Sequence, residues 1–158
     1  MIKRILWIRQ VFLGSVGMFG AFKSNNKIVP TRILVVDDEP DCLSIIQCRL
    51  EWCHYEVITA SNGAEGFRIA EDESPDIVLL DTNMPVMDGH EMLERMRKHP
   101  VLKDTPVIMV TALCGMHDIA AASALGISDY VTKPVDFTSL LEKISNILEN
   151  RTSRSFKK

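Results

Sequence analysis

The sequence predicts an α/β fold, a doubly wound parallel sheet of five strands with helices on both faces. Three observations carry this. Five short apolar runs alternate with five stretches of helical periodicity between Arg32 and Asn150, the pattern of a βαβ architecture. The runs Ile77–Leu80 and Val107–Val110 are apolar throughout, as strands covered on both faces are. Three of the runs stop at polar or charged residues: Asp37-Asp38, Asp81 and Lys133-Pro134.

Each element follows from local chemistry. Arg32–Val36 is the first strand. Glu39–Cys53 is a helix with Leu43, Ile46, Leu50 and Cys53 at helical spacing. Glu56–Ala60 is the second strand. Asn62-Gly63-Ala64-Glu65 has the form of a capping box and opens a helix that runs to about Asp72. Ser74-Pro75 breaks it, and Asp76–Asp81 is the third strand. Asp88 and Glu91 repeat the capping spacing and open the third helix, which Pro100 ends. The pairs Glu91–Arg95 and Glu94–Lys98 give it a solvated outer face. Pro106–Thr111 is the fourth strand. Met116–Leu125 is an Ala-rich fourth helix, stopped by Gly126. Asp129–Thr132 is the fifth strand. The fifth helix spans about Asp136 to Asn150, with Phe137, Leu140, Leu141, Ile144, Ile147 and Leu148 on one face.

Composition narrows the function classes. The 158 residues suffice for one domain with a full core. The net charge of −3 conceals a split. Residues 1–30 carry five basic residues and no acid, and residues 151–158 carry four basic residues and no acid. Between them, nine basic against twenty-one acidic residues leave −12. Such a body does not attract phosphate backbones, so no direct nucleic-acid binding is expected. Cys42, Cys48, Cys53 and Cys114 form no C-x-x-C pair and have no histidine at ligand spacing. They read as reduced thiols of a cytosolic protein, and a cytoplasmic location is expected.

The division expected is therefore 1–30, a basic apolar extension that is poorly ordered or helical; 31–150, the folded domain; and 151–158, a basic tail. The apolar stretch Val11–Phe22 is too short to span a bilayer. Trp7, Phe12 and Phe19 beside cations make membrane-surface contact by residues 1–23 the lesser alternative.

The strand ends carry the chemistry. In an open parallel sheet, ligands bind outside the carboxyl ends of the strands. That edge collects Asp37, Asp38, Asp81 and Lys133. Crowded carboxylates resist ionising unless a cation sits between them. Hard oxygen ligands suit Mg²⁺, with Mn²⁺ as the alternative. A lysine beside such a cluster points to a transiently bound phosphoryl group.

These residues, with Met84-Pro85-x-Met87-Asp88-Gly89, Thr111-Ala112, Tyr130 and Lys133-Pro134 in order, make the chain similar to the receiver domains of response regulators in two-component signalling, of the stand-alone chemotaxis-regulator-like type. The likeness covers about Thr31–Glu149. It implies a flavodoxin-like strand order 2-1-3-4-5. It implies that Asp81 accepts a phosphoryl group, and that Asp38, Asp81 and the Asn83 carbonyl hold the metal with Asp37 in the same shell. Lys133 and Thr111 would contact phosphoryl oxygens, with Asn83 and Ala112 lining the same space. Thr111 and Tyr130 would form the switch. The resemblance also implies a cis Lys133–Pro134 bond, and effects of Asn83 and Leu113 on phosphoryl lifetime. Its partners would be a histidine kinase or histidine phosphotransfer protein. A downstream effector would be reached through the face of the fourth helix, fifth strand and fifth helix.

Two other readings were weighed. A phosphatase of related fold places its nucleophile and acid as D-x-D after the first strand, whereas here the two aspartates are adjacent. A receiver degenerated to a scaffold lacks an acceptor, an acid or the lysine, and here all are present. The expectation is a binding module, not an enzyme apart from its own phosphotransfer and autodephosphorylation.

Overall fold

The computed structural model describes residues 30–112 and 123–155, with side chains to Arg151. Five strands form one parallel sheet: β1 Arg32–Val36, β2 Glu56–Ala60, β3 Ile77–Asp81, β4 Val107–Thr111 and β5 Asp129–Thr132. Their order is β2-β1-β3-β4-β5. Four helices lie among the described residues: α1 Pro40–Trp52, α2 Gly63–Glu73, α3 Gly89–Lys98 and α4 Phe137–Ser155. The predicted helix Met116–Leu125 falls mostly outside the described residues, as do the predicted N-terminal extension and the last three residues of the tail.

The period of two along each strand splits the core into two layers. Leu34, Val36, Val78, Leu80, Val107 and Met109 face α2 and α3, against Ala70, Met92, Leu93 and Met96. Ile33, Val35, Ile77, Leu79, Ile108 and Val110 face α1 and α4, against Ile46, Leu50, Leu140 and Ile144. All five residues of β3 and of β4 are buried, so the central strands are covered on both faces as expected.

Two expectations need correction. Cys53 does not extend the apolar face of α1. It is exposed and caps the helix, its N–H donating to the carbonyls of Glu51 and Leu50. The last helix does not stop near Asn150 but continues to Ser155, taking in five residues of the predicted tail. No glycine or proline intervenes to stop it. Arg151 on the added turn donates to the Asp76 carbonyl at 2.6 Å, tying that turn to the start of β3.

Candidate functional site

The carboxyl ends of the strands bring the site together. Asp37 and Asp38 follow β1, Asp81 closes β3, Thr111 closes β4 and Lys133 follows β5. Backbone bonds hold these ends in register: Asp37 N–H to Ala60 at 3.1 Å, and Lys133 N–H to Thr111 at 2.8 Å. The Lys133–Pro134 bond is cis. The loop after β3 is pinned by Gly89 N–H donating to the Thr82 carbonyl at 3.0 Å. A Cβ on Gly89 would collide with the Asp81 carbonyl oxygen, so α3 approaches the strand this closely only with glycine there.

The adjacent aspartates diverge. Asp37 is 1% exposed, whereas Asp38 is exposed, because successive residues leaving a strand point to opposite sides. Even so, one carboxylate oxygen from each of Asp37, Asp38 and Asp81 lies within 4.8 Å of the others. Lys133 Nζ stands 2.8 Å from Asp81 Oδ2, 2.8 Å from Asp37 Oδ2 and 3.7 Å from Glu39 Oε1. The Asp81 contact is an aligned hydrogen bond. The Asp37 contact is an ion pair without that alignment, and Asp37 Oδ2 is left buried with no hydrogen bond. A buried carboxylate oxygen without a hydrogen bond is costly unless a charge compensates it. Lys133 Nζ, 2.8 Å from that oxygen, supplies one such charge but also faces Asp81, with the Asp38 carboxylate beside both; a hard divalent cation would neutralise the excess, and the donor set fits one.

The electrostatics agree. Burial raises Asp81 above the ordinary aspartate range, Lys133 opposes this, and the charge of Asp37 reinforces it. Burial alone would lower Lys133, but Asp37 and Asp81 outweigh it and hold the ammonium above its ordinary range. One lysine thus serves two buried acids and leaves Asp81 under-compensated. Cys42, one turn into α1, is half-buried beside Asp37. Burial and its hydrogen bond to Asp37 push its thiol up to about 12.

The remaining predicted residues fall as follows. Thr111 is 4% exposed at the end of β4. Asn83 and Ala112 are exposed at the rim. Tyr130 is 39% exposed, its ring 5.6 Å from Lys143 Nζ. Leu113 lies outside the described residues. Met84 and Met87 are buried in the loop after β3, and Asp88 caps α3 by accepting from Glu91 N–H at 2.8 Å.

Two neighbours were missed. Glu39 stands beside Lys133, a position its place after Asp37-Asp38 could have suggested. Thr82 is 7% exposed, and its hydroxyl donates to Thr111 Oγ1 at 3.2 Å. Nothing in the sequence near Thr82 signals a partner 29 positions away.

Comparison with known proteins shows the family of the domain that carries this site. The family model of the response regulator receiver domain matches residues 33–145. A probable transcriptional regulator, ycf27, of Guillardia theta is 37% identical over 125 residues, covering 79% of this chain and 48% of that protein. The chain thus spans about half the length of the curated relatives it matches. The structure of a CheY-like response regulator receiver domain protein from Methanospirillum hungatei superposes with a TM-score of 0.75 at 32% identity, covering 80% of this chain and 99% of that one. The chemotaxis protein CheY4 of Vibrio cholerae gives 0.72 at 28% identity, covering 75% and 99%.

Proposed function

The chain belongs to the response regulator receiver family, and from that premise we propose that it accepts a phosphoryl group on Asp81 and signals through protein contacts. The observation that carries this reading is Lys133 Nζ between Asp37 and Asp81, 2.8 Å from each, beside a three-carboxylate cluster. A carboxylate oxygen of Asp81 attacks the phosphorus of a phosphohistidine. The P–N bond breaks, the imidazole leaves with the bonding pair, and an acyl phosphate forms on Asp81. Lys133 and Thr111 donate to the phosphoryl oxygens, where charge spreads during transfer. Asp38, Asp81 and the Asn83 carbonyl would hold Mg²⁺, with Mn²⁺ as alternative and Asp37 in the same shell. Bound there, such an ion would supply neutralisation of the negative charge that gathers at the site during transfer. Water later attacks the phosphorus and releases phosphate, so the only chemistry is the protein's own phosphotransfer and autodephosphorylation.

The partners proposed for this protein, itself placed in the cytoplasm, are a histidine kinase or histidine phosphotransfer protein and an effector protein. Thr111 and Tyr130 form the switch, and Tyr130 moves inward when Thr111 shifts toward the phosphoryl group. The effector binds the face of β5, α4 and the segment before β5. In the curated relatives named as transcriptional regulators the matched region is 48% of the protein, and no nucleic-acid contact is proposed for the acidic receiver itself. Among the described residues, no helix is long and apolar enough to cross a membrane.

Intact-mass measurement after incubation with acetyl phosphate and Mg²⁺ tests the reading. The wild type gains one phosphoryl group, and Asp81→Ala gains none. Labelling of Asp81→Ala at the wild-type level would overturn the assignment.

A further inference from the structure

A second hydroxyl stands in the site beside the one the family resemblance assigns. Thr82 follows Asp81 directly, and its backbone is fixed on both sides. Its N–H donates to the Val110 carbonyl at 3.3 Å, and its carbonyl accepts from Gly89 N–H at 3.0 Å. The side chain is 7% exposed, so its hydroxyl depends on protein partners. Two lie within reach. Thr82 Oγ1 is 3.2 Å from Thr111 Oγ1 and 3.5 Å from Asp81 Oδ1. One hydroxyl carries one proton, and the shorter contact is the better bond.

Resting on the reading of Asp81 as phosphoacceptor, we infer that Thr82 is a positioning residue that orients the Thr111 hydroxyl for phosphoryl transfer. A threonine hydroxyl rotates about its C–O bond, and its proton settles where partners draw it. With Thr82 donating, the Thr111 oxygen is the acceptor of the pair, fixed 3.2 Å from Thr82 Oγ1. Accepting one hydrogen bond polarises a hydroxyl and strengthens the bond it donates. Thr111 Oγ1 is thereby held in place at the end of β4 before the phosphoryl group arrives. Orientation settled in advance is not a cost during transfer. The two oxygens meet across the β3–β4 pair, where the register sets Asp81 opposite Val110. Rigid strand ends on both sides keep the contact from depending on a mobile loop.

Phosphorylation rates with acetyl phosphate and Mg²⁺, followed by intact mass, test this. Thr82→Val keeps the shape and removes the hydroxyl, and is expected to slow labelling about three- to tenfold, the effect of one hydrogen bond. Thr82→Ala, which adds no volume, serves the same purpose if the valine variant does not fold. Thr82→Ser restores the hydroxyl and is expected to label within about twofold of wild type. In a Thr111→Val background, Thr82→Val is expected to change the rate by less than about twofold, because the group it positions is gone. Wild-type labelling of both hydroxyl-free variants would overturn the inference. So would a serine variant as slow as valine, or a full Thr82→Val effect without the Thr111 hydroxyl. Each of these leaves the phosphoacceptor reading standing. Labelling of an Asp81→Ala control would instead remove that reading and this inference together.

Discussion

Val86 holds a backbone conformation that its side chain opposes. Its φ is +72°, and Met87 N–H donates back to the Pro85 carbonyl at 2.8 Å, closing a three-residue turn around it. A three-residue turn with φ near +75° at its centre is the strained form, and a β-branched residue held there carries a cost of roughly 1–3 kcal/mol. The valine side chain is 85% exposed, so packing returns little of that. Asparagine tolerates positive φ far better. Val86→Asn is therefore expected to stabilise the protein by about 1 kcal/mol, a rise of roughly 3–5 °C in melting temperature. Differential scanning calorimetry of both proteins checks this, and an unchanged or lower midpoint would show that Val86 is not strained. The strain sits five residues beyond Asp81, in the loop that carries Met84 and Met87 into the core.

Two helix starts with the same spacing turn out differently. At α2, Asn62 Oδ1 accepts from Glu65 N–H at 3.0 Å, and Glu65 Oε2 accepts from both the N–H and the hydroxyl of Ser61 at 2.8 Å. The glutamate reaches one residue past the N-cap, yet the reciprocal closure of a capping box is present. At α3, Asp88 caps Glu91 N–H, but the Glu91 carboxylate pairs with Arg95 Nη2 at 2.7 Å, one turn on. Glu94 pairs with Lys98 in the same manner, as the spacing predicts. Asn62→Ala should cost about 1 kcal/mol. The Ser61 backbone and hydroxyl bonds hold Glu65 below the usual glutamate value of 4.5. A carboxylate depressed in the folded state contributes stability that is complete above its unfolded value. That contribution is lost as pH falls from about 4.5 through the folded value. Urea unfolding from pH 7 down to pH 3 should therefore show a component of acid destabilisation that Glu65→Gln lacks. Identical pH profiles for the two proteins would contradict the closure.

At the scale of the whole molecule, charge is concentrated where the topology converges. The domain carries −12 over residues 31–150, and the sheet gathers three of its acids at one edge with a single lysine between two of them. Burial holds Asp81 above its ordinary range despite that lysine. Anything that binds this edge in the folded state alone and neutralises it raises stability by mass action. Mg²⁺ at about one hundred times its dissociation constant should add roughly 2.7 kcal/mol relative to chelator. Asp38→Ala should lose most of that increment, since Asp38 is proposed to touch the ion, while its exposed side chain leaves the metal-free fold little changed. Thermal melts of both proteins, with Mg²⁺ and with chelator, decide this. An equal Mg²⁺ shift in Asp38→Ala would exclude Asp38 as a ligand.

What the sequence determined by itself is whatever depends on neighbours along the chain. The strands Arg32–Val36, Glu56–Ala60 and Asp129–Thr132 have the predicted bounds, because apolar runs between turn residues are local signals. His99, ahead of Pro100, is extended, as a residue preceding proline must be, and α3 ends there. Asp37, Asp38, Asp81, Thr111 and Lys133 were legible as strand-end residues, and the parallel sheet brings strand ends to one edge. What only the tertiary structure decided is which of these atoms meet. Asp37 is buried and Asp38 exposed, although both follow the same strand, because the covering α1 and the reach of Lys133 select one side. Lys133 pairs with an aspartate 52 positions away, and Thr82 with a threonine 29 away. Such contacts depend on the order β1-β3-β4-β5 and on the register of each pair. Those are settled by how the strands pack, and no local pattern around Thr82 encodes them.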